Sequence, residues 1–226
     1  DGSIDKYKAR LVVKGFRQKE SLDYFDTYSP VTRITSIRML IAIASLYNLD
    51  IHQMDVKTAF LNGELNEEIY MEQPEGFSIL GKEKKVCKLV KSLYGLKQAP
   101  KQWHEKFDKA IMSNGFKINE CDKYVYIKNT EKGYVIVYLY VDDMLIIGSN
   151  NDMIKTIKKM LNKHFDIKDM GIADVILGIK ITKTSEGYAL SQSHYIEKIL
   201  DKFSKDDDHL ARTPVDVNLY LSKNVQ

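Results

Sequence analysis

YVIVYLYVDDMLIIG, residues 134–148, is a β-branched and aromatic run, two adjacent aspartates, and a second apolar run. Both runs are short, rich in Val, Ile and Tyr, and bounded by Gly133 and Gly148, which favours two buried strands over a helix. Asp142 and Asp143 then sit at a hairpin tip. Inside either strand an uncompensated charge would cost several kcal/mol, whereas at a tip both carboxylates face a cleft where cations neutralise them. Two neighbouring carboxylates also raise each other's pKa unless a multivalent cation binds, so the pair is a metal-site candidate. The plainer alternative is an Asp-Asp turn, because Asp is a favoured turn residue.

Outward from the hairpin, strand-like and helix-like stretches alternate. Apolar residues recur at helical spacing in 34–49, in 100–114 with Trp103 and Phe107 on one face, in 153–165 and in 191–203. Strands are expected at 11–13, at 51–62 running into Asn62-Gly63, at 68–73, 86–90 and 124–128, and at 175–182 paired with 188–190. Trp103 reads as core. Asp55 is an acid among apolar neighbours, and its plainer reading is a surface-facing strand residue. The pattern describes an α+β chain: an antiparallel sheet with helices on one face, of the split βαβ type. In such a sheet Asp55, near a strand end, would lie beside the hairpin tip.

Composition narrows the function classes. At 226 residues with 44% hydrophobic content the chain builds a substantial core as one large or two modest domains. Cys87 and Cys121 form no CxxC, which argues against a zinc ribbon or disulfide framework. No apolar run approaches the roughly 18 residues a membrane helix needs, so a soluble chain without membrane contact is expected. The net charge of +3 is uneven. Residues 81–106 hold many lysines against Glu83 and Glu105, which suits a phosphate backbone or, equally, a solvated lysine face.

The segments KARLVVKGFRQ, QMDVKTAFLNGEL, SLYGLKQAPKQW, YVDDM and LGIKI occur in the order and approximate spacing of copia-type LTR retrotransposon reverse transcriptases, and the chain resembles that family over nearly its whole length. The resemblance implies a right-hand polymerase fold, with residues 1–50 mostly fingers, 51–182 mostly palm with a fingers insertion, and 183–226 the primer-grip end and a partial thumb. It implies RNA-directed DNA polymerase activity by two-metal phosphoryl transfer, with Mg2+ as two ions and Mn2+ as a substitute. Asp55, Asp142 and Asp143 match the catalytic triad. Asp55 and Asp142 would ligate metal with help from the Val56 carbonyl, and Asp143 would support them. Arg10 and Lys8 match the cations that hold the triphosphate, and Phe60 matches the aromatic residue that excludes a 2′-hydroxyl. Tyr94 and Lys97 match a template and nucleotide contact, Tyr140 and Val141 flank the primer terminus, and Leu177, Gly178 and Ile179 match the primer grip.

By the same resemblance the partners are a primed RNA or DNA template and dNTPs, and the chain looks like a piece of a Pol polyprotein, with RNase H and integrase expected elsewhere in it. The expected compartment is a cytoplasmic virus-like particle or the nucleus. The alternatives are a catalytically inactive retroelement remnant that at most binds nucleic acid and, more remotely, a palm-type nucleotide cyclase. The cyclase leaves LYGLKQAP and LGIKI without a role.

Overall fold

The structure, a computed structural model, describes residues 9–30, 33–78, 80–131 and 133–203. Three antiparallel sheets and four α-helices make up the regular structure of these residues. The hairpin forms as its sequence dictates. β6 (Gly133–Tyr140) and β7 (Asp143–Gly148) pair antiparallel from Val135↔Gly148 to Tyr140↔Asp143. They lie at the centre of a six-stranded sheet, in the order β4 (Lys117–Ile118), β5 (Val125–Thr130), β6, β7, β1 (Asp50–Val56), β8 (Ile167–Ile172).

Strand side chains alternate between faces, so continuous apolar runs fill both faces. Val137, Leu139, Met144 and Ile146 pack with Trp103 and Phe107 of α2 (Ala99–Met112) and with Ile157 and Leu161 of α3 (Asn151–His164). Ile136, Tyr138, Leu145 and Ile147 pack with Ile37, Leu40 and Ile41 of α1 (Ile34–Leu46). The expected arrangement, helices on one face, is therefore corrected: α2 and α3 cover one face, and α1 covers the other. A sheet whose central strands present apolar side chains on alternate sides needs both covers. Full burial of each Leu or Ile contributes about 1.5–3 kcal/mol.

Beside α1 lies a second sheet, in the order β11 (Gly187–Ser191), β10 (Ile179–Thr184), β9 (Val175–Ile176). The single strand expected at 175–182 is broken by a two-residue turn at Leu177 and Gly178, whose φ values of 49° and 76° match a type I′ hairpin. A small hairpin of β2 (Tyr70–Glu72) and β3 (Val86–Lys88) and a final helix, α4 (Ser193–Phe203), complete the regular elements.

Two further expectations are corrected. Residues 11–13 form no strand. Val13 donates its amide to the Tyr94 carbonyl at 2.8 Å, and a 3-10 turn at Gly15–Arg17 follows. The strand expected at 51–62 stops at Val56, because Thr58 turns into the left-handed region (φ 52°) and a 3-10 helix occupies Ala59–Asn62. The helices start where chemistry allows. Pro100 occupies the first turn of α2, and the Asn150 side chain accepts the Asp152 amide at 2.7 Å to cap α3.

Candidate active site

The site is assembled from the hairpin turn. Because Tyr140 and Asp143 are direct partners, Val141 and Asp142 alone form the loop. Val141 has a φ of 55° and Asp142 does not share it. A two-residue turn with only its first central residue at positive φ is of the type II′ kind, which favours glycine at that position. Both loop carbonyls are engaged. The Trp103 indole donates to the Val141 oxygen at 2.7 Å, and the Val56 amide donates to the Asp142 oxygen at 2.8 Å.

β1 lies against β7 in a register that places Asp55 directly opposite Asp143. Directly opposed residues of an antiparallel pair share a face, so the two carboxylates stand side by side with Asp142 at the adjoining turn. Burial, followed by the Asp142 and Asp55 carboxylates, pushes the Asp143 carboxyl above the usual range, while the Gln53 amide, donating at 3.3 Å, opposes that shift. Among the described residues no three His, Cys, Asp or Glu side chains are placed to hold a metal ion. Asp55, Asp142 and Asp143 nonetheless bring carboxylate oxygens to one end of the sheet, the donor type that hard divalent cations prefer.

An aromatic and cationic wall faces these acids. The Arg10 guanidinium lies 4.8 Å from the centre of the Tyr94 ring, and the Phe60 ring packs against Tyr94 with centroids 4.6 Å apart. The Tyr94 hydroxyl is pushed up by burial and then by the Asp142 charge, with Arg10 acting the other way and Asp55 adding to the rise, so Tyr94 lies within electrostatic reach of both the acids and the guanidinium. Arg10, Phe60, Tyr94, Asp55, Asp142 and Asp143 therefore gather at one end of the sheet.

Of the other expected site residues, Tyr140 and Val56 lie beside the acids, and Lys97, Leu177, Gly178 and Ile179 make their contacts elsewhere. The Lys97 ammonium lies 4.7 Å from the centre of the Tyr24 ring and bonds the Tyr24 hydroxyl, and its backbone amide donates to Gln18. Tyr140 and Leu177 are half-buried against the same apolar cluster under α1, with Gly178 in the turn and Ile179 buried beside it. Val56 is buried in the opposite core. Lys8 lies outside the described residues. Within the basic stretch, Lys88 pairs with Glu68, Lys101 with Asp26 and Glu105, and Lys106 with Glu64, so part of its local charge is met by acids elsewhere in the chain.

Two contributors were missed by sequence reasoning. Gln53 precedes Asp55 by two positions and thus shares its strand face, a period-two signal that was available in QMD. The Trp103 indole carries a weaker signal: a buried Trp generally finds a partner for its N–H, but its identity depends on the fold.

A sequence profile described as reverse transcriptase (RNA-dependent DNA polymerase) matches residues 2–217. The chain is 49% identical over its whole length to the retrovirus-related Pol polyprotein from transposon TNT 1-94 of Nicotiana tabacum, of which it spans 17%. It is 40% identical to the corresponding polyprotein from transposon RE1 of Arabidopsis thaliana across 88% of the chain and 14% of that relative. It is 29% identical to the transposon Ty1-H Gag-Pol polyprotein of Saccharomyces cerevisiae across 77% of the chain and 10% of the relative. No solved structure matches.

Proposed function

Because the chain belongs to the reverse transcriptase (RNA-dependent DNA polymerase) family, we propose that it is the polymerase domain of a copia-type retrotransposon Pol polyprotein, extending a primer on an RNA or DNA template with dNTPs. The observation that carries this reading is the register placing Asp55 opposite Asp143, with Asp142 at the adjoining turn and Arg10 across from them over Tyr94.

Each residue has a physical task. Asp55 and Asp142, with the Val56 carbonyl, would hold two Mg2+ ions, which Mn2+ could replace, and Asp143 would support them. Once bound, such ions neutralise charge on the triphosphate and make the primer hydroxyl a better nucleophile. The cluster of hard carboxylate oxygens and the raised Asp143 carboxyl fit that demand. Phosphoryl transfer depends on positioning and charge neutralisation more than on covalent help.

Arg10 leaves Tyr94 for the triphosphate, a task that Lys8 shares. Phe60, braced by Tyr94, sits under the sugar and excludes a 2′-hydroxyl. Tyr140 and Val141 flank the primer terminus, the turn at Leu177, Gly178 and Ile179 supports the primer strand, and Tyr94 with Lys97 borders the template. Residues 1–50 then act as fingers, 51–182 as palm and 183–226 as the primer-grip end and start of a thumb. Other Pol segments, RNase H and integrase, are expected partners in the polyprotein.

The test is primer extension on an RNA template by the purified chain with dNTPs and Mg2+. Extension that disappears in Asp142→Asn and admits ribonucleotides in Phe60→Ala supports both the polymerase and the sugar gate. A folded chain that binds primed template yet extends nothing with Mg2+ or Mn2+ overturns the reading in favour of a binding remnant.

A further inference from the structure

We infer that Trp103 is a positioning residue for the polymerase reaction: its indole N–H holds the Val141 carbonyl and, through it, the turn that presents Asp142. The inference rests on the polymerase reading above and adds to it a residue from outside the acid cluster.

The turn is strained at Val141. Val141 adopts a φ of 55° at a position where a type II′ turn favours glycine. A β-branched residue there is an outlier, and such strain persists only where its surroundings over-determine it. One of the two loop carbonyls is fixed by the neighbouring strand, through the Val56 amide. The other, that of the strained residue itself, is fixed by Trp103 from α2, a separate element.

The indole is suited to act as a rigid post. Trp103 is 2% exposed, and its ring is packed between Phe107, with centroids 5.6 Å apart, and Phe165, edge-on at 5.2 Å. Its position therefore comes from the core under α2 and not from the turn. With both carbonyls held, the peptide units on either side of Asp142 cannot rotate, and the Cα–Cβ bond that carries the carboxylate keeps one direction. If Trp103 only filled space, a phenyl ring would serve nearly as well and the N–H would have no kinetic consequence.

Two measurements separate these cases. The chain contains one tryptophan, so the indole N–H of the intact protein gives one side-chain 15N resonance, and its solvent exchange reports the bond without any catalysis. Slow exchange in the wild-type protein, and faster exchange in Val141→Gly, are expected.

In primer extension, Trp103→Phe should lower kcat about tenfold, the weight of one net hydrogen bond, with KM for dNTP within about twofold. Glycine accepts the turn without strain, so adding Trp103→Phe to Val141→Gly should cost less than about threefold, a coupling that packing alone would not produce. Rapid indole exchange in the wild type overturns the inference, as does an equal kcat loss in both backgrounds that follows the melting temperature. A wild-type chain that extends no primer but protects its indole overturns the polymerase reading, and the catalytic consequence with it, while leaving the held turn in place.

Discussion

Asp55 and Asp143 are fixed by the register of two strands in the middle of the largest sheet, with packed side chains on both of its faces. Arg10, stacked over Tyr94, lies on a segment of another kind. Leu11 and Val12 beside it are 49% and 53% exposed, and the segment docks through the Val13 amide bond to Tyr94 and a close backbone approach between Gly15 and Gly95. The negative side of the site thus cannot shift without breaking the sheet, whereas the positive side is held by one loop-to-loop backbone contact and the packing of Val13 on a small satellite cluster. Local opening free energies follow that difference, so on the proposed polymerase reading a nucleotide would be admitted by displacing the cationic segment while the acids stay in place.

The largest effect tests the fixed side. Asp142→Asn should cost about a thousandfold or more in extension, several kcal/mol of lost charge stabilisation, with the melting temperature nearly unchanged. A variant that unfolds would show instead that the turn supports the sheet.

Next comes the loosely held side. A Cβ on Gly95 would stand 2.1 Å from the Val13 carbonyl oxygen, and Gly95 has a φ of +95°. Gly95→Ala should therefore detach the Arg10 segment, raising the dNTP KM by about tenfold, the scale of a lost charge-assisted contact, while Asp142-dependent extension persists at saturating nucleotide. Loss of the whole fold in this variant would contradict the comparison.

A smaller effect concerns pH. The Asp143 carboxyl is raised chiefly by burial, so the folded state holds that proton more tightly than the unfolded chain. Its ionisation then costs stability as pH rises from the ordinary Asp value through the raised one, and the cost is complete above it. Asp143→Asn should melt about 1–3 °C higher than wild type at neutral pH without metal, and the gap should close as pH falls towards the ordinary Asp range. A gap independent of pH would mean the carboxylate is already compensated.

The smallest effect concerns the lysines. Replacing Lys84 with Ala should lower the salt slope of template binding by about one. Lys101→Ala should change it less, because that ammonium is already paired with Asp26 at 2.6 Å. Equal slopes for the two would remove the distinction between paired and available charge.

The hairpin was legible because its signal is local: two β-rich runs, two glycines and two acids in one short stretch. Asp55 was legible as a candidate, but its place opposite Asp143 depends on β1 entering between β7 and β8, a choice settled by long-range packing. The segment at 11–13 misled because an apolar triplet reads as a strand whether a ladder receives it or, as here, a glycine loop does. The absence of polar alternation within each apolar run of 134–148 already implied burial on both faces, so the second helical cover was legible there as well. Nothing local could assign the Lys97 ammonium to Tyr24 or the Trp103 indole to Val141, since each partner is brought in by tertiary structure.

The position of β1 also has a consequence for synthesis. Gln53 and its partner Asp143 are 90 positions apart in the chain, so β1 leaves the ribosome long before either neighbouring strand exists. Until β7 and β8 arrive, its backbone donors and acceptors stay open to water or to other chains, the condition that makes non-local sheets slow to fold and prone to mispairing. The acid cluster therefore cannot form until β7 has been made, and a nascent chain interrupted before β8 would carry Asp55 on an unprotected edge.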